Sequence, residues 1–148
     1  MVSKILVTTD GSKAARKSVN YAVGLAKQTG ATVTLLSIID KSAFITGSIP
    51  AVATPTHIVE PIESYLRLAA ETYVKEAEKL CKKKGVKSKK VIRSGHIVEE
   101  IIKEAGRSKA DLIVMGSHGR SALKSAVLGS VTFGVISKST KFPVLVIR

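Results

Sequence analysis

Cysteine is almost missing from this 148-residue chain: Cys81 is the single one, so an intramolecular disulfide is impossible and a reducing compartment is compatible. It falls one turn after Ala77 on a helical face, where a small apolar residue packs more readily than it catalyses. Aromatic residues make up only 4%, and Phe44, Phe133, Phe142, Tyr21, Tyr65 and Tyr73 are scattered rather than interleaved with lysines, which weakens any case for base stacking. Acidic residues are also few, 11 against 24 basic ones, leaving a formal charge of +13 that invites an anionic partner without choosing among nucleotide, nucleic acid and acidic surface. No apolar run approaches the roughly 18 residues of a membrane span, so no membrane partner is expected. The start, Met1 to Val7, passes straight into a strand pattern with no signal-peptide layout, and a cytoplasmic location is expected. Three histidines and no cysteine cluster make a poor metal centre. The echo of His57-Ile58-Val59-Glu60 in His96-Ile97-Val98-Glu99 lacks zinc-protease spacing and reads as helix-start chemistry.

What is present is enough apolar material, 45%, for one domain spanning 1–148 with its own core. Strand-like and helical runs alternate along it, the pattern of an α/β fold with a parallel sheet between helices. Lys4 to Thr9 reads as the first strand, and Ser12 can cap a helix whose Ala15, Val19, Ala22, Val23 and Ala26 share a face. Gly30 ends that helix, and Thr32 to Ile39 forms a second strand. Residues 41–56 lose all periodicity and collect Gly47, Ser48, Pro50 and Pro55, so a long loop, placed to act as a lid, is expected there. A long helix follows with Ile62, Leu66, Ala69, Tyr73, Ala77 and Leu80 on its apolar face and Gly85 as its stop. Val86 to Arg93 is a strand weakened by lysines and is placed at a sheet edge, where lysine discourages stray pairing. A helical stripe at Ile97, Ile101, Ile102 and Ala105 precedes a strand over Asp111 to Met115, a helix to about Ser137 and a last strand from Pro143 to Ile147.

The most pointed feature is a pair of small-residue turns, Gly116-Ser117-His118-Gly119 directly after the buried run Leu112 to Met115, and Gly129-Ser130-Val131 opening the next helix. Glycines at the carboxyl end of a parallel strand, next to the positive end of a helix dipole, suit an anion such as phosphate. The common phosphate loops do not fit. A Walker loop needs lysine after its second glycine, where this chain has Arg120 after Gly119 and Ser130 after Gly129. Asp10-Gly11-Ser12 has one of the three glycines of a dinucleotide fingerprint, and neither Ser117 nor Ser130 lies in a hydrolase elbow.

These residues resemble the universal stress protein family over nearly the whole chain: Ile5 to Ser12, Leu35 to Asp40, Asp111 to Arg120, Gly129 to Val131 and Pro143 to Val146. The glycine spacing of the C-terminal block is that of the family's ATP-binding branch. The resemblance implies an open five-stranded parallel sheet in the order 3-2-1-4-5, with helices on both faces and ATP, accompanied by magnesium, across the strand carboxyl ends. On that basis Asp10 and the backbone around Thr8, Thr9 and Ile38 face adenosine, and Met115 and Gly116 line the adenine and ribose region. Gly119, Gly129, Ser130 and Val131 hold the phosphates, with Arg120 and His118 as secondary candidates. Two departures stand outside the phosphate pattern: position 8, often proline in the family, is Thr8, and Ser37 replaces a frequent histidine. Relatives also commonly dimerise through the last strand, so a homodimer is expected.

Each residue has a local alternative: Asp10 or Ser130 as a helix cap, and Gly116 and Gly119 as turn formers. Taken together, at the ends of two strands expected to be neighbours, they favour a nucleotide site. The function expected is an ATP-binding stress-response regulator. No catalytic residues are assigned, because Asp10 is the one carboxylate near the turns and no glutamate or glutamine stands by to position water; any ATPase activity is expected to be weak. Nucleic-acid or acidic-partner binding through the lysine-rich segment 75–93 is the alternative from another class, less favoured because lysines at a helix end are ordinary solvated charges.

Overall fold

A computed structural model describes residues 1–40, 56–119 and 128–148. Its elements run β1 (Lys4–Thr8), α1 (Lys13–Thr29), β2 (Thr32–Ile39), α2 (Thr56–Lys84), β3 (Ser88–Ser94), α3 (Ile97–Arg107), β4 (Leu112–Gly116), α4 (Ser130–Lys138) and β5 (Val144–Ile147). The five strands form one sheet in the order β3-β2-β1-β4-β5, and every neighbouring pair is parallel. This is the order the resemblance implies. Both lysine-rich β3 and the short β5 lie at edges.

The sheet is covered on both faces, so its central strands are apolar throughout rather than alternating. Ile5 and Val7 of β1 join Val33, Leu35 and Val114 in a core beneath α1 and α2, while Leu6, Leu36, Val91, Ile113 and Met115 pack under α3 and α4. Leu6, Leu35, Leu36 and Ile113 are wholly shielded from solvent, each a burial of about 1.5–3 kcal/mol. The five apolar positions expected on α1 are all buried. Ser12 caps α1 by accepting from the Ala15 N–H at 3.1 Å, and Gly30 ends it in the left-handed region (φ 75°).

Two expectations about helix faces are corrected. The buried stripe of α2 is Ala70, Val74, Ala77 and Cys81, turned by about one residue from the expected one, so Leu66, Ala69, Tyr73 and Leu80 only flank the core. Small residues let α2 lie close against β2, β3 and α1, and close approach selects the narrow side of the helix over its bulkier one. Cys81 is fully buried among these residues, in the packing position expected of it. On α3 the buried positions are Ile101, Ala105 and, unexpectedly, Glu104, while Ile102 is half-buried. α2 begins at Thr56, the last residue of the expected loop, and the rest of that loop lies outside the described residues.

Candidate functional site

β1 and β4 lie side by side in register, Ile5 with Leu112 and Val7 with Val114, so the turns that follow them meet at one edge of the sheet layer. After β1, the Thr9 N–H donates to the Leu36 carbonyl at 2.9 Å, holding the turn onto β2. Asp10 then folds back locally: its Oδ1 accepts from the Ser12 N–H at 2.9 Å, and Gly11 takes the left-handed φ of 76° that this reversal requires. Asp10 is therefore not the cap of α1, which is Ser12, and its Oδ2 is directed toward the second turn. A methyl group placed on Gly119 would lie 2.9 Å from that oxygen.

The two glycine turns also touch each other. Gly129 donates its N–H to the Ser117 carbonyl at 2.7 Å, and a Cβ on Gly129 would stand 3.3 Å from both that carbonyl and the His118 Cα. Gly129, not Ser130, is the N-cap of α4, and no side chain caps that helix. First-turn N–H groups lack intrahelical acceptors and sit at the positive end of the helix dipole, so this terminus is disposed toward an anion. Ser130 is exposed and Val131 half-buried at its start.

Gly116 serves a different purpose from Gly119 and Gly129. A Cβ there would meet the Ala14 carbonyl oxygen at 3.1 Å, so glycine is what lets the start of α1 cross the end of β4. The Gly116 carbonyl accepts from Thr132 Oγ1 at 2.8 Å, tying β4 to the first turn of α4. Thr132 is buried and was not singled out from sequence; its position two residues into a helix opened by Gly-Ser was the available signal. Ser117 is likewise buried, its N–H donating to the Ile147 carbonyl at 2.8 Å and its hydroxyl 3.0 Å from His118 Nδ1.

Of the expected site residues, the structure thus gathers Asp10, Gly119 and Gly129 at one place, with Thr8, Thr9, Gly116, Ser130 and Val131 around it. Ile38 is the penultimate residue of β2, one strand over, paired in register with Arg93 of β3. The Met115 side chain is 2% exposed and belongs to the core under α3 and α4, so only its backbone reaches the strand end. Arg120 lies outside the described residues. In the lysine-rich segment, Lys90 and Lys82 both converge on Glu78 across α2 and β3, at 2.9 and 3.7 Å. The Lys90 hydrogen bond is the main cause holding the Glu78 carboxyl below its ordinary pKa. Part of this positive charge is therefore internal pairing rather than a free binding surface. Among the described residues no group of three or more His, Cys, Asp or Glu side chains is placed to hold a metal ion, and no helix is long and apolar enough to cross a membrane.

The sequence profile described as Universal stress protein family matches residues 1–148. The chain belongs to this family. It is 32% identical to universal stress protein YxiE of Bacillus subtilis, with each chain covered in full. To universal stress protein MJ0577 of Methanocaldococcus jannaschii it is 36% identical, covering 100% of this chain and 96% of the relative. A solved structure of MJ0577 superposes with a TM-score of 0.84 at 33% identity, over 99% of this chain and 96% of that one. A universal stress protein crystallised in complex with cAMP matches with a TM-score of 0.66 at 25% identity, over 99% and 96% of the two chains. Universal stress proteins thus share the doubly wound sheet seen here, and at least one of them binds an adenine nucleotide.

Proposed function

We propose that this chain is an ATP-binding regulatory protein of the stress response, holding the nucleotide at the carboxyl ends of β1 and β4. The supporting observation is the convergence of Asp10, Gly119 and Gly129 on one spot, where the absence of side chains at both glycines lets the turns close on each other beside a helix start that no side chain caps and that suits phosphate oxygens. Gly119, Gly129, Ser130 and Val131 would hold the phosphates, with Arg120 beside them. Asp10 and the backbone of Thr8, Thr9 and Ile38 would face the adenosine, with the Met115 and Gly116 backbone beneath. The relative complexed with cAMP supports the adenine-nucleotide class. Magnesium would accompany the phosphates, with Asp10 as the nearby carboxylate. The protein would act in the cytoplasm as a homodimer paired through β5.

Binding, not hydrolysis, is the activity favoured. Rapid phosphoryl transfer needs a group that positions the attacking water and electrostatic stabilisation aimed at the transition state, and the site supplies a cradle with one carboxylate. The deciding experiment is to denature the purified protein and identify any released nucleotide by mass spectrometry, alongside calorimetric titration of nucleotide-free protein with ATP. ATP in the released fraction, or saturable ATP binding, is expected. Absence of both, or many turnovers of ATP per minute that vanish in Asp10→Ala, would overturn this function.

A further inference from the structure

Strands covered on both faces are apolar on both, yet the amino-terminal ends of β1, β2 and β3 depart from this on the face that carries α3. Lys4 and Thr32 stand side by side there, as do Thr34 and Lys89 in the next row. These side chains share the face of Leu6, Leu36 and Val91, but at the end of the sheet opposite to the glycine turns, on the order of 15 Å away by strand rise. The carboxyl end of α3 comes down over them and borders a solvent-open concavity of about 340 Å³, to which it adds Glu104, Arg107 and Ser108. Arg93 of β3 closes the lining.

The charges in this cavity do not balance. Lys4, Lys89, Arg93 and Arg107 line it with the single carboxylate of Glu104, an excess of three positive charges that falls to two when Glu100, 3.5 Å from Arg107, is counted. Glu104 is 3% exposed and its Oε2 accepts from Arg93 Nε at 2.9 Å and approaches Arg107 Nη1 at 3.5 Å, so the acid fixes two guanidiniums in place. Among the described residues Arg93 is held through Nε alone, which leaves its two terminal nitrogens for another acceptor. Neither Lys4 nor Lys89 has an ion-pair partner among the described residues. The hydroxyls of Thr32 and Thr34 add neutral donors between the cations, while that of Ser108 donates to the Glu104 carbonyl at 2.8 Å.

From this arrangement we propose a second binding site, at the amino-terminal end of the sheet, for a small phosphorylated molecule. Fixed guanidiniums and mobile ammonium groups around a concavity match several phosphoryl oxygens at once, and the volume is that of a small-molecule pocket. A nucleic acid is disfavoured because, among the described residues, no aromatic side chain lines the cavity to stack a base. The site is independent of the nucleotide cradle, and its occupancy would report a second signal to the same domain.

The test titrates inorganic pyrophosphate into the ¹⁵N-labelled full chain at about 0.15 M ionic strength. Saturable shifts of the Thr32, Thr34, Lys89 and Ser108 amides are expected, with affinity weakened tenfold or more in the Lys4→Gln/Lys89→Gln double variant. Both lysines are exposed and unpaired, so this variant keeps the fold, which its remaining amide spectrum verifies. No saturable shift, shifts confined to the 116–119 and 129–132 turns, or an unchanged affinity in the double variant would each overturn the proposal. So would a short RNA that shifts these amides when pyrophosphate does not.

Discussion

Gly119 and Gly134 offer a paired perturbation that separates site from scaffold. A Cβ on Gly119 would fall 2.9 Å from Asp10 Oδ2, and one on Gly134 would fall 2.8 Å from Val98 Cγ2, where α3 and α4 pack. Neither glycine has a positive φ, so alanine is opposed by contact alone at both. An ordinary contact begins at 3.4 Å, so the neighbours must yield by 3.4 − 2.9 = 0.5 Å and 3.4 − 2.8 = 0.6 Å. At Gly119 what must yield is a carboxylate whose other oxygen is held by the Ser12 N–H at 2.9 Å, so the displacement moves the turn that would face the nucleotide. Half an ångström is about the tolerance of a binding constellation, and a loss of about tenfold in ATP affinity, about 1.4 kcal/mol, is expected for Gly119→Ala. The fold should hardly notice, because Gly119 is exposed. At Gly134 the overpacking of two helices costs about 1–3 kcal/mol, offset in part by the better helix propensity of alanine, about 1 kcal/mol. A lower melting temperature, by about 2–4 °C per kcal/mol lost, with unchanged ATP affinity is expected for Gly134→Ala. Calorimetric ATP titration and thermal denaturation of both variants make the measurement. ATP affinity within twofold of wild type in Gly119→Ala, or a larger loss in Gly134→Ala, would refute the assignment of Asp10 and Gly119 to the site.

Three further outcomes are expected. Asp111 Oδ2 accepts from the Ser3 N–H, the Ser3 hydroxyl and the Lys4 N–H, each at 2.9 Å, and the Ser3 bonds chiefly lower its pKa below the ordinary value. A depressed folded pKa contributes stability that is present above the unfolded value, about 4, and is lost as pH falls through the folded one. Asp111→Asn should therefore be less stable than wild type at neutral pH, with the gap closing below about pH 4 in denaturant titrations; a gap independent of pH would contradict the cause given. The Cys81 thiol is fully buried and burial raises its pKa, so a thiol-specific dye at mildly alkaline pH should label it only at the rate of unfolding, and immediate stoichiometric labelling of native protein would be inconsistent with its packing. Along β5 the Pro143 and Ile147 carbonyls accept from the Ile113 and Ser117 N–H groups, so the alternate residue Val146 turns its N–H outward. Val146→Pro should convert a β5-paired dimer to monomer in sedimentation while preserving the sheet; a monomeric wild type at high concentration would exclude the dimer.

Much of the fold was legible because its signals are local. The alternation of elements, the stripe on α1, the Ser12 cap and the Gly30 stop each depend on residues within one or two turns of one another, and all appear in the structure where the pattern put them. The edge position of β3 was readable from lysines that a central strand would not tolerate. The rotated face of α2 and the buried Glu104 were not readable, because each depends on which neighbour the helix leans against. A helix whose small and large apolar residues occupy adjacent faces can bury either, and only the distance to β2 and β3 selects.

By itself, then, the sequence determined an α/β chain whose two glycine turns end near a strand and open a helix, and the family to which those motifs belong. Only the tertiary structure decided that Asp10, more than a hundred residues upstream, points its second carboxylate oxygen at Gly119, that Gly116 makes room for α1, and that Gly129 rather than Ser130 begins α4. It also collected Lys4, Lys89, Arg93 and Arg107 around one buried carboxylate at the far end of the sheet. The reason is the same throughout: parallel pairing through crossover helices brings together residues whose separation along the chain carries no record of their proximity.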